Sequence, residues 1–210
     1  MTNLLDAQKT PRFASAFAYA CKLHEGQLRK GTRIPYVSHV LGVASIALEF
    51  GASEDEAIAA LLHDGAEDAG GAPVIDEIGT RFGAAVAAIV AGCSDTFETP
   101  KPPWLARKQA YISHLATASP SVLLVSAADK LHNVRTLISD YRQIGEALWS
   151  RFTGGRQGTL WYYRSLADCF LKLSGNRLAV ELDLAVHELE GLAKFGHKEG
   201  APRANPNPST

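Results

Sequence analysis

Four ionisable side chains follow an apolar run in the first third of the chain. Residues 57–62 are apolar at every position, and His63, Asp64, Glu67 and Asp68 come directly after them. In an α-helix Glu67 lies one turn after His63. Asp68 likewise lies one turn after Asp64, so the four side chains form two adjacent stripes. Carboxylates at this spacing repel one another, and partial burial strengthens the repulsion unless a cation lies among them. The pattern therefore indicates a divalent metal site.

Two other segments place a metal-binding type of side chain at the edge of an apolar run. Asp129 follows the largely apolar residues 122–128, and Asn133 lies four residues later on the same helical face. His39 also stands next to apolar residues, at the start of a second predicted helix. Alone, each such residue is more often a capped or solvated side chain, but their occurrence on three helices favours a shared site. Its members would be His39, His63, Asp64 and Asp129. This mixed nitrogen and oxygen set suits manganese, iron or zinc better than magnesium.

Helix signals recur along the chain, and they must position these side chains. Thr10-Pro11 and Ser119-Pro120 each combine an N-cap residue with proline at the first helical position. Ser53 to Glu56 forms a capping box. Residues 122–125 alone would also suit a buried strand, but no partner segment alternates between apolar and polar residues. The sequence therefore predicts an all-α fold, a compact bundle of about nine to ten helices.

Helix boundaries follow from apolar spacing and from glycine and proline positions. We predict helices over residues 11–26, 38–50, 53–69, 73–82, 83–91, 104–118, 120–139, 141–151, 158–174 and 176–194. Small residues in 83–91 predict close packing of that helix. Residues 1–196 are expected to form one domain, and residues 197–210, rich in Pro, Asn and Gly, a disordered tail.

Composition and charge exclude several classes of protein. The 210 residues contain 21 Lys and Arg against 22 Asp and Glu, so the chain lacks a net basic field for binding nucleic acid. The apolar run 82–92 is far shorter than the ~20 residues that span a membrane, and residues 1–12 lack the apolar core of a signal peptide. Three cysteines without a C-x-x-C motif suit a reducing compartment. We therefore expect a cytoplasmic protein without a membrane or nucleic-acid partner.

The order His39, His63-Asp64 and Asp129 resembles the HD superfamily of metal-dependent phosphohydrolases. The flanking residues are more specifically similar to the hydrolase domain of the RelA/SpoT group. Four motifs carry this resemblance: His24-Glu25-Gly26-Gln27-x-Arg29-Lys30-Gly31, Ile34-Pro35-Tyr36-x-x-His39, Leu61-Leu62-His63-Asp64-x-x-Glu67-Asp68 and Ala128-Asp129-Lys130-Leu131-His132-Asn133-x-Arg135-Thr136-Leu137. They extend over most of the chain and resemble those of a stand-alone small alarmone hydrolase.

The resemblance implies an HD-domain bundle that removes the 3′-pyrophosphate from guanosine alarmones, (p)ppGpp, and yields GDP or GTP and pyrophosphate. It implies one divalent ion, usually Mn²⁺, held by His39, His63, Asp64 and Asp129. It assigns the activation and orientation of the attacking water to a catalytic pair, Glu67 and Asp68. It assigns the nucleotide site to Arg29, Lys30, Asn133 and Thr136.

Two other functions remain compatible with these residues. The same site would serve another nucleotide, such as an adenosine alarmone of the ppApp type or the 2′-phosphate of NADPH. A catalytically silent nucleotide sensor would typically have lost a ligand or the acidic pair, and both are present here. The expected partner is a small-molecule nucleotide. The sequence leaves open whether the chain forms a homo-oligomer. The sequence assigns no role to Lys101, Lys108, His132, Arg156 or Tyr162.

Overall fold

The fold is a bundle of helices. The computed structural model describes residues 11–96 and 100–199, without the side chains of residues 68, 69 and 195–199. This part of the chain contains ten α-helices and one 3₁₀-helix: α1 (Pro11–Leu23), α2 (Val37–Glu49), α3 (Glu54–Leu62), α4 (Gly65–Ala69), α5 (Ala72–Phe82), α6 (Ala84–Cys93), α7 (Trp104–Leu115), α8 (Pro120–Ile144), the 3₁₀-helix (Gly145–Arg151), α9 (Gly155–Leu173) and α10 (Arg177–Glu199). The predicted all-α class and number of helices are confirmed. Among these helices, none has both the length and the apolar character required to cross a bilayer.

The predicted N-terminal signals start two of the helices that build the site. The Ser53 hydroxyl accepts a hydrogen bond from the Glu56 backbone, and the Glu56 carboxylate accepts one from the Ser53 backbone, which completes the capping box of α3. The Ser119 hydroxyl accepts a hydrogen bond from the Val122 backbone N–H and thereby caps α8. Thr10 lies outside the described residues, and α1 begins at Pro11.

Most predicted helix boundaries agree with the structure to within three residues, and three larger differences occur. Residues 120–144 form one helix because no glycine or proline occurs there after Pro120, and the helix ends at Gly145, which adopts a left-handed φ of +56°. The predicted helix 53–69 is broken at residues 63–64, where long-range packing overrides local propensity. The last helix continues to Glu199, past its predicted end at 194, through Gly191 and Gly196, because no proline occurs between its start and Pro202. Residues 200–210 lie outside the described residues.

The helix that precedes His63 lies at the centre of the molecule. Residues 57–62 are fully buried, and α3 packs against α1, α2, α6 and α8. Burial of a leucine or isoleucine side chain contributes about 1.5–3 kcal/mol, so Ile58, Leu61 and Leu62 anchor α3 strongly. The position of His63 is therefore fixed by the main core.

Helices α6 and α8 approach each other closely at Gly92. A Cβ atom built on Gly92 would lie 2.6 Å from Cγ2 of Val122, which is itself buried. This contact agrees with the close packing predicted from the small residues of this segment. It explains why glycine occupies a helical position where alanine has the higher intrinsic propensity.

We expect Gly92→Ala to lower the free energy of unfolding by about 1–3 kcal/mol, because the added methyl group overpacks the α6–α8 contact. Urea denaturation would measure the change. Gly191→Ala in α10 is the matched control, since no heavy atom lies within 4 Å of its Cβ position. Adding Val122→Ala should rescue Gly92→Ala. Equal stability of the Gly92→Ala and Gly191→Ala variants would contradict the predicted strain.

Candidate functional site

Three parts of the bundle bring the four predicted metal ligands together. His39 lies on α2, His63 and Asp64 lie in the turn after α3, and Asp129 lies in the middle of α8. His39 Nε2 is 3.3 Å from Asp64 Oδ2 and 3.2 Å from Asp129 Oδ1. His63 Nε2 is 3.1 Å from Asp64 Oδ2 and 3.6 Å from Asp129 Oδ1. Two imidazole nitrogens and two carboxylate oxygens thus surround one point.

This arrangement fits a divalent cation. His39 Nε2 and His63 Nε2 are buried, and neither has a partner in hydrogen-bond geometry. His39, His63 and Asp129 each offer one ligand atom, and the three atoms lie within 4.8 Å of one another. Ligand atoms bonded at about 2.0–2.2 Å to one ion are separated by about 3 Å when they are neighbours. A metal ion would therefore give the two buried nitrogens the partner that they lack.

The electrostatics of these side chains also favour a cation. Burial lowers the pKa of His63, but Asp64 and Asp129 raise it by more, so this pKa lies well above the ordinary value. Burial raises the pKa of both carboxyl groups. His63 outweighs burial at Asp64, and Lys130 together with the histidines outweighs it at Asp129, so both pKa values lie well below the ordinary range. The surroundings thus favour ionised carboxyl groups at Asp64 and Asp129, and a metal ion would supply positive charge between them.

Hydrogen bonds fix the two carboxylates. Lys130 Nζ donates to Asp129 Oδ2 at 2.5 Å, and Asn133 Nδ2 donates to Asp129 Oδ1 at 2.5 Å. The Tyr36 hydroxyl donates to Asp64 Oδ2 at 2.6 Å. Outer partners of this kind orient ligands and tune their basicity. Lys130 and Tyr36 thus belong to the site, although the sequence assigned them no role.

The far nitrogens of the two histidines have partners as well. His63 Nδ1 lies 2.8 Å from the Ala60 carbonyl oxygen and donates to it, which leaves Nε2 directed at the carboxylates. His39 Nδ1 lies 2.9 Å from Nδ1 of His132. Burial, together with His39 and Arg29, lowers the pKa of His132 to about 4, so this ring is neutral at pH 7.

The predicted catalytic pair lies on the short helix α4. Lys101 Nζ donates to Glu67 Oε1 at 2.8 Å, and the Asp95 backbone N–H donates to Glu67 Oε2 at 3.3 Å. These contacts connect the carboxylate to the segment that follows α6. The backbone of Asp68 is helical, but its side chain lies outside the described residues. The structure therefore gives a position to one member of the pair.

All four predicted nucleotide-binding residues line one groove. The groove has a volume of about 940 Å³, which lies within the usual range of small-molecule sites, about 300–1,000 Å³. Arg29, Lys30, Asn133 and Thr136 lie in its wall, and so do Tyr36 and His132, which contact metal-site residues. Arg29 Nη2 donates to Asn133 Oδ1 at 2.9 Å. The groove therefore opens beside the cluster of His39, His63, Asp64 and Asp129.

A single face of α8 connects the cluster to the groove. Asp129, His132, Asn133 and Thr136 follow at intervals of three, one and three residues, which places them on one side of the helix. The groove wall also contains residues from beyond α8 that the sequence did not single out: Arg151, Phe152 and Tyr163. The spacing from Asp129 is a signal that would have placed His132 at the site.

Two basic residues without a predicted role have structural partners. Lys108 Nζ lies 3.1 Å from Asp95 Oδ2 and 4.9 Å from the centroid of the Tyr162 ring. Arg156 donates to the Ala193 carbonyl oxygen at 2.9 Å, which joins α9 to α10. Arg156 therefore acts in helix packing, whereas the partly buried Lys108 lies over the ring of the buried Tyr162.

Comparison with known proteins agrees with this geometry. Residues 16–160 match the HD domain family. Guanosine-3′,5′-bis(diphosphate) 3′-pyrophosphohydrolase MESH1 from Xenopus tropicalis is 38% identical over 122 residues, which cover 57% of this chain and 65% of MESH1. The Homo sapiens protein of that name is 37% identical over the same shares. The alignment thus spans slightly less than two thirds of these relatives.

Solved structures share the fold. A metazoan ortholog of SpoT that hydrolyses ppGpp superimposes with a TM-score of 0.70 at 26% sequence identity, covering 87% of this chain and 97% of that chain. The protein lmo0812 from Listeria monocytogenes superimposes with a TM-score of 0.62 at 26% identity, covering 74% and 99%. The bundle described above is therefore common to these proteins.

Proposed function

Because this chain belongs to the HD domain family, we propose that it is a metal-dependent hydrolase that removes the 3′-pyrophosphate from guanosine alarmones, (p)ppGpp. The observation that carries the proposal is the convergence of two histidines and two carboxylates beside a groove of nucleotide size. The name of MESH1 describes this same reaction, and the SpoT ortholog hydrolyses ppGpp, so both support the choice of substrate.

His39, His63, Asp64 and Asp129 would hold one divalent ion. Two imidazole nitrogens favour Mn²⁺ over Mg²⁺, which prefers oxygen ligands. The chemistry supplied by such an ion, when bound, is acidification of water and withdrawal of charge from a phosphoryl oxygen. Lys130 and Asn133 keep Asp129 in its ligating orientation, and Tyr36 does so for Asp64.

The hydrolytic step requires an acceptor for a water proton. In our proposal Glu67, together with Asp68, orients the water and accepts this proton. The water oxygen bonds to the phosphorus atom joined to the ribose 3′ oxygen, and the bond between that phosphorus and the 3′ oxygen breaks. The 3′ oxygen takes up a proton and becomes a hydroxyl. The products are pyrophosphate and GDP or GTP.

The groove would hold the rest of the nucleotide. Arg29 and Lys30 supply positive charge for the phosphates, and the planar guanidinium of Arg29 is also able to stack on a base. Arg29 already donates to Asn133, which in turn donates to Asp129. This chain of hydrogen bonds aligns the nucleotide-binding wall with the metal site.

We expect Arg29→Ala to raise KM about 10- to 100-fold, since charge-assisted hydrogen bonds contribute about 1.5–3 kcal/mol. We expect a smaller effect on kcat than on KM, and steady-state kinetics measures the two separately. Arg142→Ala is the control, because Arg142 forms an exposed ion pair with Glu188. An unchanged KM with a reduced kcat would place Arg29 outside nucleotide binding.

Product analysis tests the proposed reaction directly. The purified chain with Mn²⁺ is offered ppGpp, ppApp and NADPH in parallel, with the Asp129→Asn variant as the control for contaminating enzymes. We expect ppGpp to be the best substrate and to give equal amounts of GDP and pyrophosphate. Orthophosphate alone would indicate a stepwise phosphatase, and preference for ppApp or NADPH would indicate the alternative substrates. Metal binding without turnover of any of them would indicate a nucleotide sensor.

A further inference from the structure

His132 contacts a predicted metal ligand from the side opposite the metal site. Its Nδ1 atom lies 2.9 Å from His39 Nδ1, and the two ring centroids are 4.8 Å apart. The other nitrogen of His39, Nε2, faces the Asp64 and Asp129 carboxylates. The reaction outlined above gives His132 no role, yet its ring touches His39 directly.

The direction of this hydrogen bond follows from the chemistry of His39. One of two bonded imidazole nitrogens must donate and the other must accept. Because His39 Nε2 must be unprotonated to bind a metal, a neutral His39 carries its proton on Nδ1 and donates it. His132 Nδ1 is then the acceptor, and the His132 proton lies on Nε2. A histidine that binds a metal normally donates its second N–H to a carboxylate, a backbone carbonyl or water, which fixes the tautomer and the ring orientation. Here an imidazole nitrogen takes the place of that acceptor.

The position of the His132 ring depends on a glycine. Gly42 lies on α2, three residues after His39, and a Cβ atom built there would lie 2.2 Å from both Cδ2 and Nε2 of His132. Contacts this short require the ring to move. Gly42 has no left-handed φ, so this glycine supplies space rather than backbone freedom. The absence of a side chain at Gly42 of α2 thus leaves the space that the His132 ring of α8 occupies beside His39.

We propose that His132 is a positioning residue that accepts the hydrogen bond from His39 Nδ1, and that Gly42 provides the space in which it does so. The inference rests on the proposed metal site. It adds a residue that acts through a ligand and contacts neither the metal nor the reacting phosphorus. Loss of such an outer partner reduces metal affinity about 10- to 100-fold.

The test measures the Mn²⁺ dissociation constant of the full chain by titration calorimetry, without nucleotide. His132→Phe keeps an aromatic ring but removes the acceptor, so we expect affinity to fall about 10- to 100-fold. His132→Asn, whose Oδ1 atom can approximate the position of Nδ1, should restore most of it. His187→Phe is the matched control, because this histidine is 74% exposed on α10. Melting temperatures of the metal-free proteins separate lost metal affinity from lost folding.

Gly42→Ala tests the same contact from the other helix, and it keeps the proposal falsifiable if His132→Phe fails to fold. It should weaken Mn²⁺ binding in the wild-type background but add little to His132→Ala, because the clash needs the ring. Fully additive losses would overturn the role of Gly42. Mn²⁺ binding by His132→Phe as tight as by His187→Phe would overturn the role of His132 and leave the proposed metal site intact. Absence of Mn²⁺ binding by the wild-type chain would instead overturn the proposed function itself.

Discussion

Asp129→Asn should lose bound Mn²⁺ and at least about 10³-fold of kcat, because several kcal/mol of transition-state stabilisation depend on the ion. Asp129 Oδ1 faces both histidines and accepts a hydrogen bond from Asn133, whereas its Oδ2 accepts one from Lys130. Asparagine keeps the shape of aspartate but removes the negative charge that attracts both the metal and Lys130. Elemental analysis after reconstitution with Mn²⁺, together with turnover of ppGpp, measures the two effects.

The same variant should lose the stabilisation that metal gives to the wild-type chain. A ligand that binds only the folded state raises the melting temperature, so Mn²⁺ should stabilise wild type and fail to stabilise Asp129→Asn. His63→Ala is a second variant with the same expected loss, and it removes an imidazole rather than a charge. Asp168→Asn, at an aspartate that is 64% exposed on α9, should behave as wild type. Full metal content and turnover in Asp129→Asn would refute the proposed ligand set.

A second large effect is expected at the acidic pair. Glu67→Gln should lower kcat by about 10²- to 10⁴-fold, since glutamine cannot accept the proton that the attacking water releases. Because Glu67 is not among the proposed ligands, Mn²⁺ content and affinity for ppGpp should stay close to those of wild type. Asp68→Asn should show the same separation of turnover from binding. Single-turnover kinetics measures the chemical step, elemental analysis measures Mn²⁺ content, and nucleotide titration measures affinity for ppGpp.

The ion pair between Glu67 and Lys101 requires its own control. Lys101→Ala breaks this pair from the other side and leaves the Glu67 carboxylate in place, so its kcat should stay far above that of Glu67→Gln. Glu77→Gln removes an exposed carboxylate that pairs with Arg81, and its turnover should equal that of wild type. Near-normal turnover in both Glu67→Gln and Asp68→Asn would mean that the pair is a solvated helix end. Loss of metal from Glu67→Gln would make Glu67 a ligand instead.

Local sequence was sufficient to single out the four side chains that the fold brings together, His39, His63, Asp64 and Asp129. His63 follows six apolar residues, and Asp129 follows another largely apolar stretch, so each polar group marks the point where a buried helix reaches a site. Burial of an ionisable group without a partner costs free energy. An ionisable residue directly after an apolar run therefore indicates a site where it has a partner. Helical spacing placed Asn133 on the same face as Asp129, whereas Thr136 was assigned to the nucleotide site only by the resemblance to a family.

Features that depend on long-range contacts were not predictable in this way. The partner of His132 is 93 residues away in the chain, on another helix. The break after α3 coincides with close packing of Gly65, where a Cβ atom would lie 2.7 Å from Leu23 of α1. The contact between Glu67 and Lys101 joins α4 to a proline-rich segment whose course no periodicity describes. Each of these depends on how helices pack, which apolar spacing alone does not determine.

The 25-residue helix α8 makes the two halves of the site cooperative. Asp129 belongs to the cluster and Thr136 to the groove, with Asn133 hydrogen-bonded to Asp129 between them, and a continuous helix moves such groups as one body. On the proposed function, an ion that fixes Asp129 would therefore also order the wall that would receive the nucleotide. Thermodynamic reciprocity then requires the nucleotide to tighten ion binding by the same factor. On the proposed function, the chain would thus take up its ion at lower ion concentrations when the nucleotide is present.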